Sequence, residues 1–290
     1  MKFTKMEGCG NDYVYVDARE RNEDWSSLAR AISNRHFGVG SDGLILLEVS
    51  HNANLKMTMF NADGSEGRMC GNGIRCLAKF AIDREIVEKE LDSITVETLS
   101  GIRTVVPIRE NGVVIGARVS MGKPILMPAE IPVTVASNLG RFVGDARVDY
   151  PLYVGGKELA LSFVSMGNPH AVLFLEEPVE EFPLHEIGPY VEHHPMFPEG
   201  VNFEIVNIIG PSKMRARVWE RGSGETMACG TGACAIGVAA NLLDIKQYND
   251  VETIEPLMVT LPGGTLDIEW DGFGEVFMTG PAVEVFSGDW

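Results

Sequence analysis

The sequence predicts an α+β fold of two pseudo-symmetric domains, each a curled, mostly antiparallel sheet or barrel around a central helix. Three observations support this prediction: a long internal repeat, short alternating runs typical of strands, and one helix that is apolar on every side. At 290 residues the chain is long for one core and sufficient for two modest domains.

Four short motifs of the first half recur in the second half at nearly one separation. The matched positions are Asn11 and Asn168, Asp42 and Asn202, Asn61 and Glu220, and Cys70 and Cys229, which lie 157, 160, 159 and 159 residues apart. Such agreement indicates a duplicated domain. We therefore expect a first domain at residues 1–119, completed by residues 275–290, and a second domain at residues 120–274.

Alternation of apolar and polar residues predicts short strands in both halves. The predicted strands cover residues 13–17, 44–49, 56–60, 102–108 and 113–119, then 159–165, 171–175, 203–209, 214–219 and 266–270. The last segment, residues 276–286, has no counterpart in a simple tandem order. We expect it to return and complete the first domain.

Each half also contains one main helix, which begins after Gly73 or after Gly232. The second of these helices is apolar all round, and such a helix is expected to be enclosed on every side. We therefore expect a sheet to curl around it. A smaller helix is predicted from Asp24, a good N-cap residue, to about Arg35.

The net charge of −17 argues against nucleic acid as a partner, because binding phosphates needs a positive surface. A zwitterionic amino acid interacts only weakly with the electric field of a negatively charged protein, so it is a compatible substrate. The first residues lack the apolar core of a signal peptide, and the longest low-charge run, residues 227–243, is too short to span a bilayer. We therefore expect a cytoplasmic protein that does not enter the membrane.

The cysteines do not resemble a disulfide framework, since a cytoplasmic chain keeps its thiols reduced. They are Cys9, Cys70, Cys76, Cys229 and Cys234. No C-x-x-C pair occurs, and the spacings of six and five residues put partners on different helix faces, which is poor geometry for one metal ion. We predict no metal site. Cys76 and Cys234 are expected to be buried structural residues, and the role of Cys9 stays open.

Cys70 and Cys229 stand in matching turns, Cys-Gly-Asn-Gly and Cys-Gly-Thr-Gly, each at a helix start. Glycines let backbone N–H groups converge, and the helix end adds partial positive charge, so each turn can bind a carboxylate beside a thiolate. A helix-end interaction of up to ~2 kcal/mol lowers a thiol pKa by roughly 1.5 units, from ~8.5 toward neutrality. We therefore expect two reactive thiols.

If the duplicated domains close on a cleft, Cys70 and Cys229 approach one substrate carbon from its two faces. One thiolate then removes an α-proton while the opposite thiol delivers another, which inverts the centre. The N–H groups of both helix starts would stabilise the charge of the developing carbanion. This scheme needs no cofactor, and it predicts an amino-acid racemase or epimerase.

Three further residues gain weight from their positions. His170 stands beside Asn168 and is a candidate for tuning a thiol, although a loop histidine bonded to backbone is the common alternative. Glu220 and Arg221 would ordinarily be a solvated pair at a strand end. Their alignment with Asn61 in the repeat makes a functional role equally plausible.

The sequence resembles the diaminopimelate epimerase family over essentially its whole length. Seven segments carry the resemblance, at residues 8–12, 60–65, 69–76, 167–170, 200–202, 219–222 and 228–233. The resemblance implies interconversion of the L,L and meso forms of 2,6-diaminoheptanedioate, on the route to lysine and the cell wall, without pyridoxal phosphate. It also implies a pseudo-symmetric pair of α+β domains and a homodimer.

Carried over motif by motif, the resemblance makes Cys70 and Cys229 the catalytic thiols, and His170 and Glu220 the residues that tune them. It assigns substrate binding to Asn11, Asn61, Gly71, Asn72, Asn168, Asn202, Glu220, Arg221, Gly230 and Thr231. The chemistry agrees, since the Arg221 guanidinium suits a distal carboxylate and asparagines offer donors and acceptors to an amino-acid end.

The chain departs from the family at Gly43, where many relatives carry a glutamine that touches substrate. In this chain the contact must be absent, made by backbone or replaced by another residue. Gly43 is therefore not predicted to be a site residue.

Two other functions stay open. A proline or hydroxyproline racemase of the same architecture usually has histidine after the first Cys-Gly, where this chain has Asn72, and a cyclic imino acid would leave Arg221 without a purpose. A non-catalytic amino-acid binding module would need neither of two matched thiols. The sequence does not indicate which cysteine acts on which stereoisomer.

Overall fold

The computed structural model describes residues 1–245 and 255–290, and their contacts separate two compact units. The first unit comprises Met1–Ser120 and Thr279–Trp290, and the second comprises Met121–Met278. No helix in these described ranges has the length and apolar composition needed to cross a membrane.

The helices and strands have the following bounds. The first part of the chain forms β1 (Lys2–Gly8), β2 (Asn11–Asp17), α1 (Trp25–Ser33), β3 (Gly43–Glu48), β4 (Leu55–Asn61), β5 (Glu66–Gly67), α2 (Gly71–Asp83), β6 (Ile94–Thr98), β7 (Gly101–Glu110) and β8 (Val113–Gly122). A 3₁₀ helix (Pro128–Glu130) precedes β9 (Arg141–Val143), β10 (Ala146–Val148), β11 (Tyr150–Val154), β12 (Lys157–Ser165), β13 (Pro169–Leu175), α3 (Leu184–Glu192), β14 (Asn202–Gly210), β15 (Lys213–Glu220), β16 (Gly224–Thr226) and α4 (Gly230–Leu242). The C-terminal part forms β17 (Leu257–Leu261), β18 (Gly264–Glu269), β19 (Val276–Pro281) and β20 (Val283–Asp289).

In the first unit, β1 and β2 are antiparallel, and β2 runs parallel to β3. The next pairs are β3 with β4 antiparallel, β4 with β6 parallel, and β6 with β7 and β7 with β8 antiparallel. The two parallel steps are the crossovers that contain α1 and α2, as parallel neighbours require. The C-terminal β20 pairs with β1, so the last strand of the chain belongs to this sheet.

The second unit repeats five of these pairings in the same order. β12 and β13 are antiparallel, β13 and β14 parallel, β14 and β15 antiparallel, β15 and β17 parallel, and β17 and β18 antiparallel. β11 lies against β12 as β20 lies against β1. The register shows the duplication directly, because Tyr13 pairs with Gly43 and His170 pairs with Asn202.

This register corrects one match of the repeat by a single residue. Asn202 is equivalent to Gly43, not to Asp42 as the sequence comparison suggested. Aspartate resembles asparagine in shape, whereas the strand pairing follows the backbone.

The main helix of each unit is almost completely buried. The predicted enclosure of α4 is confirmed, since residues 232–240 are all buried. In α2 residues 71–82 are buried too, and they include Arg75 and Lys79. Sequence periodicity indicated only one apolar face for α2, because these two residues count as polar. In the structure they are buried, because long side chains can bury their stems and bond from within: the Lys79 ammonium donates to Val114 O at 2.6 Å.

The smaller helix α1 begins where it was predicted. Asp24 is its N-cap, and the Asp24 carboxylate accepts a hydrogen bond from Ser27 N at 3.1 Å. The helix ends at Ser33, two residues before the predicted end at Arg35.

Candidate active site

The two cysteine turns have the same backbone geometry. Cys70 is the N-cap of α2, and the Gly73 N–H donates to its sulfur at 3.3 Å. Cys229 is the N-cap of α4, and the Gly232 N–H donates to its sulfur at 3.4 Å. Each thiol therefore caps a buried helix in the place usually taken by a side-chain oxygen, against the positive end of the helix dipole.

In each unit, one strand side chain packs against the glycine three residues after the cysteine. The two side chains come from equivalent strand positions of the two units. A Cβ atom added at Gly73 would lie 2.5 Å from Ile45 Cδ1, and one added at Gly232 would lie 2.7 Å from Glu204 Oε1. A side chain at either position would therefore displace the end of Ile45 or of Glu204. The same comparison shows that Ile45 in β3 and Glu204 in β14 occupy equivalent places, one apolar and one acidic.

In the first unit, Asn11 connects the Cys70 turn to an ion pair. Its Oδ1 accepts hydrogen bonds from the Cys70 thiol at 3.2 Å and from Asn72 Nδ2 at 3.4 Å. Its Nδ2 donates to Asp42 Oδ2 at 2.7 Å, and Asp42 is paired with Arg35 at 2.8 Å. The carboxylate thus orients the Asn11 amide so that its oxygen faces the thiol.

In the second unit, Asn168 connects the Cys229 turn to a buried pair. Its Nδ2 donates to Thr231 Oγ1 at 3.3 Å, and this hydroxyl lies 3.4 Å from Cys229 Sγ. Its Oδ1 lies 3.2 Å from His170 Nε2, and His170 Nδ1 lies 2.7 Å from Glu204 Oε1. His170 and Glu204 are both 0% exposed. A continuous set of hydrogen bonds therefore links this pair to the thiol.

Glu220 lies directly against Cys229. Its carboxylate accepts a hydrogen bond from the Thr226 hydroxyl, and it lies close enough to Cys229 for each group to shift the pKa of the other. Burial raises the pKa of Glu220, and the Thr226 hydroxyl and the Cys229 thiol partly offset the rise. Glu220 therefore reaches the thiol without an intermediate, whereas His170 reaches it through two other side chains.

Burial raises the pKa of both thiols, which contradicts the expectation that the helix starts bring them toward neutrality. For Cys70, loss of water raises the pKa, while helix N–H groups and the Tyr13 hydroxyl lower it. For Cys229 the rise is greater, because the negative charges of Glu220 and Glu204 add to the effect of burial. The helix start acts in the expected direction, but desolvation exceeds it.

The helix starts carry further polar groups. Asn72 is 1% exposed, and its Oδ1 has no hydrogen-bond partner within the part of the chain that the structure describes. Gly71 and Gly230 are the first residues of α2 and α4, so their N–H groups belong to the turn that has no intrahelical acceptor. Such N–H groups form a ready site for a carboxylate.

The remaining predicted residues do not bond to the two thiols. Asn202 Oδ1 accepts from the backbone N–H of Arg221 at 2.9 Å, and its Nδ2 donates to a backbone carbonyl at 3.0 Å. The Arg221 side chain is exposed, and its Nη1 donates to Glu199 O at 2.8 Å. In the first unit, Asn61 is exposed and its Nδ2 donates to Ser65 Oγ at 3.0 Å.

Gly43 has no room for a side chain. A Cβ atom there would overlap the carbonyl oxygen of Phe60 and lie 2.9 Å from Tyr13 Cε1. The backbone of β4 and the Tyr13 ring therefore fill the space where the departure from the family pattern was noted.

Three residues of the site were missed by the sequence analysis. They are Tyr13, whose hydroxyl lowers the pKa of Cys70, Glu204, which bonds to His170, and Asp42, which bonds to Asn11. A signal for two of them was available, because Tyr13 and Glu204 lie two residues after Asn11 and Asn202 on their strands. Alternate residues of a strand share one face.

All five cysteines are free thiols. The predicted burial of Cys76 and Cys234 is confirmed, and Cys9 is buried as well, with a φ of 56° and its sulfur 4.0 Å from Arg75 Nη2. In residues 1–245 and 255–290, no group of three or more His, Cys, Asp and Glu side chains is arranged to hold a metal ion.

Comparison with solved structures identifies the fold. A hydroxyproline epimerase from Agrobacterium vitis superposes with a TM-score of 0.64 at 13% identity, covering 99% of this chain and 90% of that chain. A phenazine biosynthesis protein of the PhzF family from Bacillus anthracis has a TM-score of 0.64 at 17% identity, covering 99% and 98%. At these identities the likeness concerns the fold alone, and it confirms the predicted α+β architecture.

Comparison of sequences identifies the family. The family model for diaminopimelate epimerase matches residues 3–127 and 162–285. A diaminopimelate epimerase from Desulfovibrio desulfuricans is 49% identical over 100% of this chain and 98% of its own length. One from Acetivibrio thermocellus is 47% identical over 100% of this chain and 98% of its own length. The chain therefore belongs to the diaminopimelate epimerase family.

Proposed function

We propose that this enzyme interconverts L,L- and meso-2,6-diaminopimelate by proton transfer at the α-carbon, with Cys70 and Cys229 as the acid–base pair. The observation that carries the proposal is the pair of thiols that cap equivalent buried helices, in a chain 49% identical to a diaminopimelate epimerase. A module that only binds an amino acid would gain nothing from two such thiols.

The proposed reaction moves two protons and no other group. The thiolate of one cysteine takes the α-hydrogen as a proton, so the C–H bond breaks, an S–H bond forms and the electron pair stays on the substrate. The thiol of the other cysteine gives its proton to the opposite face of the carbon, so a new C–H bond forms and the negative charge passes to the second sulfur. The reverse reaction exchanges the two roles.

The helix starts stabilise the charge that develops in between. Deprotonation of the α-carbon spreads negative charge into the α-carboxylate, and N–H groups at Gly71, Asn72, Gly230 and Thr231 are suited to receive it. Donors that are already oriented by a helix need no rearrangement when the charge appears. The unpartnered Asn72 Oδ1 adds an acceptor for the α-ammonium group.

The resting state of the pair is expected to be asymmetric. Burial and the charges of Glu220 and Glu204 raise the pKa of Cys229, so its proton is retained. Cys70 instead donates to the neutral amide oxygen of Asn11, and the Tyr13 hydroxyl lowers its pKa. We therefore assign the resting proton to Cys229 and the more readily formed thiolate to Cys70.

The remaining predicted residues are assigned to the unreacted end of the substrate and to the scaffold. Arg221 offers an exposed guanidinium for the distal carboxylate, and Asn11, Asn61, Asn168 and Asn202 offer amides to the amino-acid groups. His170 and Glu220 are assigned to tuning Cys229. The supporting observations are the hydrogen bonds that join His170 to the Cys229 turn through Asn168, and the effect of Glu220 on the pKa of Cys229.

We further propose that residues 1–119 with 275–290 and residues 120–274 are duplicated domains that act on one substrate. The supporting observation is the repeated strand register of the two units. A homodimer in the cytoplasm, on the route to lysine and cell-wall precursors, stays a prediction from the family.

Reaction in deuterated water tests both the substrate and the mechanism. Purified protein given L,L-diaminopimelate is expected to form meso product with nearly one deuterium at the inverted carbon, while recovered substrate carries little. The same asymmetry is expected from the meso isomer, because the thiols exchange roles. L-proline is the comparison substrate and is expected to remain unchanged.

Two outcomes would contradict the proposal. Racemisation of proline without turnover of diaminopimelate would assign the enzyme to the imino-acid racemases. Product that keeps its original α-hydrogen would indicate a single base that returns the same proton.

A further inference from the structure

We propose that Thr231 is a positioning residue for Cys229, because its hydroxyl donates a hydrogen bond to the sulfur. The direction of this bond is fixed by a buried chain of three side chains, Asn168, His170 and Glu204. The inference rests on the proposed acid–base role of Cys229. The family resemblance assigns Thr231 to substrate binding, so a role at the sulfur is additional.

The chain joins side chains from three neighbouring elements of the second unit. Asn168 directly precedes β13, and His170 lies on that strand. Glu204 lies on β14, and Thr231 is in the first turn of α4. In the parallel pair of strands His170 is opposite Asn202, two residues before Glu204. Because alternate residues of a strand share one face, Glu204 lies on the same face as Asn202 and reaches the His170 ring.

The direction at the sulfur follows from what each group can donate or accept. The Asn168 amide nitrogen can only donate, and it donates to Thr231 Oγ1 at 3.3 Å. The Thr231 hydroxyl therefore keeps its own proton for another acceptor. Among the residues that the structure describes, the one acceptor bonded to this hydroxyl is Cys229 Sγ, at 3.4 Å. The hydroxyl thus donates to the sulfur.

The opposite end of the chain holds the Asn168 amide in this orientation. An amide oxygen can only accept, so His170 Nε2, 3.2 Å from Asn168 Oδ1, carries a proton. His170 Nδ1 lies 2.7 Å from Glu204 Oε1, and this hydrogen bond contains a second proton. Both side chains are fully buried. With two protons the pair is neutral overall, the state that costs least in a buried site.

The matched asparagine of the first unit is turned the other way. Asn11 Nδ2 donates directly to the Asp42 carboxylate at 2.7 Å, so its oxygen faces Cys70. In the second unit His170 stands between a carboxylate and the asparagine, and it donates where Asp42 accepts. The histidine therefore reverses the amide, and Asn168 presents N–H groups to its cysteine turn where Asn11 presents oxygen.

A donor at the sulfur opposes the groups that keep Cys229 protonated. Burial and the carboxylates of Glu220 and Glu204, which come from β15 and β14, raise the pKa of Cys229. Hydrogen bonds from the Thr231 hydroxyl and the Gly232 N–H lower this pKa. A donor stabilises the thiolate more than the thiol. Thr231 therefore helps Cys229 to act as the base in the direction of the reaction that requires it.

The test is the sign of the change in Cys229 reactivity when the hydroxyl is removed. Full-length protein is alkylated with iodoacetamide over a range of pH, and peptide mass spectrometry measures each cysteine. Thr231→Val keeps the shape of the side chain without the hydroxyl. The alkylation midpoint of Cys229 is expected to rise by about 0.5–1 pH unit, which is about three- to tenfold slower alkylation at a fixed pH below the midpoint.

Two controls separate this hydrogen bond from a general change of structure. Thr231→Ser keeps the hydroxyl and is expected to leave the Cys229 midpoint unchanged. Cys70 in the same samples belongs to the other unit, and its midpoint is expected to stay in place in both variants.

A measurement on the unmodified protein keeps the test decisive if Thr231→Val does not fold. In ¹⁵N-labelled full-length protein at neutral pH, His170 Nε2 is expected to resonate as a nitrogen that carries hydrogen, because Asn168 Oδ1 can only accept. Sequential assignment identifies the ring.

Three outcomes would overturn the inference. The first is a Cys229 midpoint that stays or falls in folded Thr231→Val, since a sulfur that donated to the hydroxyl would lose its acceptor and ionise more readily. The second is an equal rise in Thr231→Ser, and the third is a His170 Nε2 without hydrogen. Neither measurement needs substrate, so failure of this inference leaves the epimerase assay unaffected, and a failed epimerase assay leaves these results standing.

Discussion

The Cys70 turn and the Cys229 turn share a backbone but differ in the charge around the sulfur. Both thiols cap a buried helix and accept a backbone N–H at 3.3 or 3.4 Å. Around Cys70 the bonded side chain is the neutral Asn11 and the Tyr13 hydroxyl lowers its pKa, whereas the carboxylates of Glu220 and Glu204 raise the pKa of Cys229. Duplication has therefore kept the geometry and changed the electrostatics.

The difference teaches that duplicated helix starts can hold thiols in unequal surroundings. The equivalent positions that differ are Tyr13 and His170, Gly43 and Asn202, Ile45 and Glu204, and Asn61 and Glu220. The negative neighbours of Cys229 raise its pKa further than burial raises that of Cys70.

The largest expected effect comes from removing either thiol. Cys70→Ala and Cys229→Ala are each expected to lower kcat by at least about 10³-fold, because each direction of the reaction needs both a base and an acid. Stereochemical assays in both directions would measure the loss. Cys76→Ala and Cys234→Ala are matched controls and are expected to retain activity, so loss of activity in these controls alone would refute the assignment.

The next effect is on the free energy of unfolding. It compares the side chains that support the Cys229 turn with those that support the Cys70 turn. His170→Gln leaves the fully buried Glu204 without its partner and is expected to cost about 3–5 kcal/mol in free energy of unfolding. Arg35→Gln removes ion pairs of a side chain that is 56% exposed and is expected to cost at most about 1 kcal/mol, since water screens such pairs. Urea unfolding of both variants would measure the difference. Equal losses would mean that the buried pair has no special structural role.

A smaller effect tests Arg221, which we propose binds the distal carboxylate of the substrate. Only the second unit has this residue. Arg221 is equivalent to Ala62 in the repeat, so the first unit has no arginine at this place. Arg221→Met is expected to lower kcat/KM for diaminopimelate by about 30-fold, or ~2 kcal/mol, the usual contribution of charge-assisted hydrogen bonds. Steady-state kinetics would check this, with Arg221→Lys as a control of intermediate loss. An unchanged kcat/KM would make Arg221 a surface charge only.

The smallest expected effect brings the pKa values of the two thiols closer together. In the unmodified enzyme, Cys70 is expected to be alkylated at lower pH than Cys229, because the pKa of Cys229 is raised further. Glu220→Gln removes a negative neighbour, which favours the thiolate and is expected to lower the Cys229 midpoint by about one pH unit. Cys70 in the same sample is the control. A Cys229 midpoint that stays or rises would show that Glu220 does not set the charge of this thiol.

Much of the architecture could be predicted from local patterns. The cysteine turns were located at helix starts because glycines and a helical apolar period are readable over a few residues. Enclosure of α4 followed from its composition, but burial of α2 did not, because Arg75 and Lys79 made it look half exposed. The match of Asp42 to Asn202 failed because residue similarity is weaker evidence than strand register.

By itself the sequence determined the duplication, the two thiols that cap helices and the family. Repeated motifs and helix caps can each be recognised from short runs of neighbouring residues. The tertiary structure decided how each thiol titrates. Desolvation and charge act through space, and the groups responsible reach Cys70 from β2 and Cys229 from β14 and β15, strands that only folding packs against the helix starts. The helix starts alone predicted acidic thiols, and burial between packed strands reversed that prediction.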